Sequence, residues 1–137
     1  MQLYYLTDEA TVKAVTEWGR AVGKTPVQAR DSTAFIVNRL LVPYLLDAIR
    51  VYEGGLASLE DIDTAMKLGC GYPMGPFELT DYVGLDTTLS ILQGWVKRYP
   101  SEPAFKVPAV LEKLVQEKKL GRKSGQGFYK WDGDKKS

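Results

Sequence analysis

Few of the 137 residues are of types that could do chemistry, and histidine is absent altogether. General-base catalysis by imidazole, serine or cysteine triads and His-containing metal sites are therefore closed to this chain acting alone. Three groups of polar residues remain to be weighed. Asn38 interrupts the oily run "FIVNRLLVPYLLDAI". Its amide could hold a carbonyl or hydroxyl atom of a substrate in a dry pocket, or simply pin its helix to a neighbouring backbone. The acids Asp61, Asp63, Glu78 and Asp81 resemble acid/base or metal pairs. Each is expected near a helix start, however, where the macrodipole favours negative charge, so capping explains them and no metal site is expected. Lys123 lies in "GRKSGQG", which follows a helix and precedes an aromatic tail. A phosphate loop joins a strand to a helix N-terminus, so this is not one, although Lys123, beside Ser124, could lean over a ligand bound elsewhere. Neither GxGxxG nor GxxxxGK[ST] occurs.

The elements that must position these residues are helical. Val12, Val15, Trp18 and Val22 recur at helical spacing over 8–22, with Gly23 as a stop. "KTPVQAR" is the one strand candidate of the first half, with Val27 and Ala29 on one side, and one strand cannot make a sheet. Asp31 or Ser32 is expected to cap a helix running to about Tyr52, stopped by Gly54-Gly55 and disturbed by Pro43. On that helix Arg39, Pro43, Asp47, Arg50 and Glu53 share one side. Asn38 falls on the other, with Phe35, Val42, Leu45, Ile49 and Tyr52. A buried amide without a partner costs about 1–3 kcal/mol, so Asn38 is expected to be hydrogen-bonded.

"SLED" pairs Ser58 with Asp61 at the start of a short helix ending at Gly69. "GCGYPMGPFEL" then forms a stiff connector that exposes Tyr72, Met74 and Phe77. It serves either as chain reversal or as a wall for an acyl chain. Two helical turns follow to Val83, and Asp86 is expected to cap a further helix carrying Leu85, Leu89, Leu92 and Val96. After a proline-stiffened loop, Val110, Leu111, Leu114 and Val115 mark a last helix, and the end is a turn with an extended aromatic tail. The class predicted is all-α, a compact, non-repeating bundle of about six helices.

Composition narrows the partners. A formal net charge of +1 gives no overall field to recruit nucleic acid or an anionic membrane, and the C-terminal lysines alternate with acids as on a solvated face. The longest apolar run is too short to span a bilayer. "QLYYLTDEA" after Met1 lacks the basic start and apolar core of a signal peptide. Cys70 is the lone cysteine, which excludes an internal disulfide and suggests a reducing, intracellular compartment.

Three stretches, "FIVNRLLVPYLLDAI", "EDIDTAMKLGCGYPMGPFELTDYVGLDT" and "GRKSGQGFYKW", occur in the order and spacing of the C-terminal domain of 3-hydroxyacyl-CoA dehydrogenase of the short-chain, β-oxidation type. The resemblance covers roughly 34–131. It implies the 6-phosphogluconate dehydrogenase C-terminal-like fold for 31–137, with 1–30 resembling the last helix and strand of that family's nucleotide-binding domain. It also implies NAD-dependent oxidation of (S)-3-hydroxyacyl-CoA to 3-oxoacyl-CoA, using a His and a Glu that have no counterpart in this chain. Asn38 matches the asparagine facing the reacting oxygen and the catalytic histidine, and Lys123 the lysine that contacts NAD. Tyr72, Pro73, Met74 and Pro76 would border the acyl pocket. An acyl-CoA substrate, a homodimer, and a mitochondrial (if eukaryotic) or cytoplasmic (if bacterial) location follow from the same resemblance. Thr33-Ala34 stand where the family usually has Pro-Gly, and a methyl at 34 restricts the backbone there. The alternative is a stand-alone, non-enzymatic acyl-CoA-binding or crystallin-like structural module.

Overall fold

In the computed structural model, which describes residues 7–137, the chain divides into two compact units, one up to Leu40 and one from Leu41 to Ser137. The signal-peptide reading of the first residues lies largely outside the described part, as do the first six residues of the 1–30 segment.

In the first unit, Asp8 caps α1 (Glu9–Ala21) by accepting from the Thr11 amide at 2.9 Å and the Thr11 hydroxyl at 2.7 Å. Gly23, at φ +76°, ends the helix as expected: its amide donates to the Arg20 carbonyl and that of Lys24 to Gly19. The strand candidate around Val27 and Ala29 forms no strand, and among the described residues no neighbouring strand shares its hydrogen bonds. Residues 24–30 carry no regular structure, and the Pro26 ring comes so close to Gly19 that a Cβ there would stand 3.3 Å from it.

The next helix starts later than its predicted caps. Ala34 and Phe35 have φ of +68° and +59°, left-handed values that no right-handed helix contains, so α2 runs Val37–Glu53 and neither Asp31 nor Ser32 caps it. Pro43 lies inside α2 without ending it.

The second unit is built from the rest of α2 with α3 (Leu59–Cys70), α4 (Pro76–Val83), α5 (Leu85–Arg98) and α6 (Ala109–Gln116). Short 3-10 turns occur at Pro103–Phe105 and Arg122–Ser124, and a small antiparallel ladder pairs β1 (Trp131–Asp132) with β2 (Lys135–Lys136). Among the described residues there are thus six α-helices and almost no sheet, the all-α class expected.

The core is assembled from inward-facing side chains of the helices and of the turn at Pro103–Phe105. Leu45, Leu46 and Ile49 of α2, Phe77 of α4, Leu85 and Leu92 of α5, Phe105 and Leu111 are all essentially inaccessible to water. Each such side chain contributes about 1.5–3 kcal/mol of burial. Phe77 is the hub, with ring centroids 5.7 Å from Tyr52 and 4.9 Å from Phe128.

Of the helices that begin at residues with no capping side chain, two are capped from elsewhere in the fold, α4 after Gly75 and α6 after Pro108. Carboxylates from other helices cap them instead. Glu53 accepts from the Val110 amide at 2.7 Å, and Asp63 accepts from the Phe77 and Glu78 amides at 2.8 and 3.1 Å.

Candidate functional site

Asn38 occupies the first turn of α2 and is exposed, as are Ile36, Val37 and Leu40 around it. This corrects the expectation of a buried, hydrogen-bonded amide. The side of α2 on which Asn38 lies is indeed the buried one further along, at Val42, Leu45 and Ile49. Periodicity reports which side of a helix turns inward, not how far along its length the cover extends. Within the first unit, Asn38 lies on the wall of a cavity of about 860 Å³ that is also lined by Trp18, Arg20, Arg30 and Phe35. Among the described residues its amide has no hydrogen-bond partner, so donors and acceptor are open to a group from outside.

The connector between α3 and α4 behaves as its glycines and prolines predict. Gly71, at φ +69°, ends α3 in place of the expected Gly69, which lies within the helix; Tyr72 and Pro73 are exposed with Met74 half-buried. Pro76 differs. It is fully buried in the first turn of α4, where its missing N–H costs nothing, so it supports the connector rather than offering surface to a ligand. Phe77, expected to be exposed by the connector, is buried in the core. Tyr44 of α2 packs edge-on against Tyr72 at 5.6 Å, and its hydroxyl is hidden from water without a partner among the described residues. Burial first, then the neighbouring Tyr72 and Asp63, pushes the Tyr44 phenol up to about 12.

Lys123 sits in the short turn after α6 and is about half exposed. Its ammonium lies 2.6 Å from Asp86 Oδ1. Asp86 was expected to cap α5, but Gly84 holds that position and Asp86 falls in the first helical turn. The Lys123 hydrogen bond holds the Asp86 carboxyl below the usual carboxylate range.

The four acids divide. Asp61 pairs with Ser58 as expected, the Ser58 hydroxyl donating to Asp61 at 2.7 Å and accepting from its amide at 3.1 Å. Glu78, in the first turn of α4, meets Lys67 and Lys136 at 3.5 and 3.3 Å. Asp63 and Asp81 do not serve the starts of their own helices. Both are buried, and each accepts three hydrogen bonds. Asp63 takes the two amides of α4 and the Tyr129 hydroxyl at 2.8 Å. Asp81, near the end of α4, takes the Phe128 amide at 2.8 Å, the Tyr129 amide at 2.9 Å and the Trp131 indole N–H at 2.8 Å.

Burial raises the Asp81 carboxyl, and the Tyr129, Trp131 and Phe128 donors oppose that rise. Burial, followed by the bond to Asp63, raises the Tyr129 phenol. This network is missed by local reasoning, since its partners are 14 to 66 residues apart in the chain. No group of three metal-ligating side chains occurs among the described residues.

Residues 35–131 match the family model described as "3-hydroxyacyl-CoA dehydrogenase, C-terminal domain". The chain belongs to this family. It is 58% identical over 125 residues to a probable 3-hydroxyacyl-CoA dehydrogenase of Caenorhabditis elegans, a match covering 91% of this chain and 40% of that protein. It is 56% identical over 126 residues to the mitochondrial hydroxyacyl-coenzyme A dehydrogenase of Homo sapiens, again covering 92% and 40%. The crystal structure of (S)-3-hydroxybutyryl-CoA dehydrogenase from Ralstonia eutropha superposes with a TM-score of 0.88 at 37% identity, over 93% of this chain and 45% of that one. The chain thus spans about 40% of the length of the curated relatives it matches. As a 3-hydroxyacyl-CoA dehydrogenase C-terminal domain, it has the helical architecture its three motifs imply, and those motifs fall within the matched region.

Proposed function

We propose that the chain is the substrate-closing and dimerising part of an NAD-dependent 3-hydroxyacyl-CoA dehydrogenase that oxidises (S)-3-hydroxyacyl-CoA to 3-oxoacyl-CoA in fatty acid β-oxidation. The match over 35–131, at 58% identity to a probable dehydrogenase, carries this reading. Residues 1–30 are the end of a nucleotide-binding domain and 31–137 the helical domain. The identity to mitochondrial relatives supports a mitochondrial matrix location, and no helix among the described residues is long and apolar enough to cross a membrane.

NAD, when bound, accepts the substrate hydride, and its principal site belongs to the nucleotide-binding part of such enzymes. The residues here suit a contact at its rim: Lys123 is half exposed and holds an ammonium on a short, rigid turn. Asn38 holds the reacting oxygen and the histidine supplied by that other part, a role that its open amide on the cavity wall supports. Tyr72, Pro73 and Met74 border the acyl chain, with Pro76 bracing them from beneath. Exposed Leu56 and Leu68 are apolar surface from which a second copy would exclude water.

Without a histidine, this chain alone turns over no 3-hydroxybutyryl-CoA. Joined to the nucleotide-binding part of the Caenorhabditis elegans relative, residues 31–137 restore NADH production, and Asn38→Ala in that chimera lowers kcat by about 100-fold or more. A folded chimera with no activity, or one indifferent to N38A, would refute the reading.

A further inference from the structure

We propose that Asp81 is a positioning residue for Lys123: the loop 121–127 starts against its backbone, and its buried carboxylate is the peg that holds the far end of the loop and so fixes where the Lys123 ammonium stands. Both ends of the loop press on Asp81. A Cβ at Gly121 would lie 2.3 Å from the Asp81 carbonyl oxygen, and one at Gly127 would lie 2.1 Å from its Oδ1. Only glycine permits such approach, and Gly121, at φ +98°, also needs its freedom of backbone.

Immediately past the loop, the Phe128 and Tyr129 amides and the Trp131 indole donate to the same carboxylate. The loop closes on itself through the Gly121 amide and Gln126 carbonyl at 2.8 Å, and the Ser124 hydroxyl accepts from the Leu120 amide at 2.8 Å. Lys123 projects from this frame to Asp86, passing so near Gly84 that a Cβ there would meet its Nζ at 3.1 Å. Asp81 therefore bounds the path of the chain before Lys123 with its backbone and after it with its carboxylate, without itself touching the lysine. The placement stands on this geometry alone, and its consequence for the cofactor rests on the reading of Lys123 given above.

Asp86 reports where Lys123 is. Its carboxyl titration, followed by carbon-13 NMR, is compared in the parent chain, D81N, K123M and E53Q. Removing the ammonium in K123M raises the Asp86 midpoint. Loss of the peg in D81N raises it by the same amount, and speeds amide exchange of residues 122–126 at least about 10-fold with that of α5 unchanged. E53Q, which removes a different anchoring carboxylate, leaves the midpoint where it is.

An Asp86 midpoint unmoved in folded D81N overturns the proposal, as does an equal rise in E53Q. Should D81N fail to fold, W131F removes a single donor from Asp81 and is judged on the same readout: a partial rise supports the peg, no rise overturns it. In the chimera, D81N and K123M raise the KM for NAD alike, several-fold. K123M without effect on that KM sinks the cofactor reading alone and leaves the Asp86 titration to judge the peg.

Discussion

At the residue scale, the chain places its carboxylates where they receive backbone and aromatic donors rather than where they could exchange protons with a substrate. Asp63 is 2% exposed and accepts from two amides and a phenol, and hydrogen bonds to a charged group are worth about 1.5–3 kcal/mol each. Asp63→Asn turns an amide group toward donors and lowers the stability measured in urea by about 2–3 kcal/mol. Its effect and that of Y129F do not add, because they share one bond. A loss below about 0.5 kcal/mol would show that the amides of α4 find other partners. Asp86 behaves differently, being partly exposed and held below the usual range by Lys123. A carboxyl whose folded value is depressed adds stability above its unfolded value of 3.8, and that stability is lost as pH falls through the lower folded value. The stability difference between the parent chain and D86N is accordingly present at neutral pH, under about 1 kcal/mol after solvent screening, and vanishes in strong acid. A difference that grew on acidification would reverse the assignment. Sequence reasoning found Asp61 because its partner is three residues away, and missed Asp63, Asp81 and Asp86 because theirs are brought near only by folding.

At the element scale, periodicity and punctuation made the helices legible. The stop at Gly23, the cap at Ser58 and the inner faces of α2 and α5 all follow from local chemistry, while α3 runs past the expected Gly69 to stop at Gly71. What could not be read locally is the start of α2. Asp31 and Ser32 are good capping residues, yet Ala34 and Phe35 take left-handed backbone angles and postpone the helix to Val37. Such a conformation costs about 1–2 kcal/mol for a residue with a Cβ, while glycine loses about 0.5–1 kcal/mol more than alanine on ordering. Ala34→Gly, which relieves that strain, is therefore stabilising on balance. The first full hydrogen bond of the turn, from the Leu40 amide to the Ile36 carbonyl at 3.2 Å, is the place to measure it. Its amide exchange slows about 2–5-fold in A34G, and faster exchange would mean that the alanine methyl makes a contact worth more than the strain.

For the whole molecule, the two units differ in what they can contribute to stability. Every large apolar side chain in the core lies at or beyond Val42, and in the described part of the first unit only Gly19 is buried. Of the stripe predicted for α1, Trp18 is 61% and Val22 49% exposed, so that helix is amphipathic in pattern without a covered face. Helices as short as 13 residues are marginal in water unless one face is packed, and α1 has chiefly the Asp8 cap and the Gly23 stop to hold it. The cooperative unit is therefore the second one, with its buried carboxylates and aromatic hub. A chain shortened to residues 31–137 melts within about 3 °C of the full 137 residues, the shift expected when little apolar surface is lost. Calorimetry of the full chain shows one main transition whose enthalpy the shortened chain retains. If removing 1–30 instead lowered the melting temperature by 10 °C or so, or abolished cooperative melting, the first unit would be part of the same fold, and its resemblance to the end of a separate nucleotide-binding domain would lose its physical support.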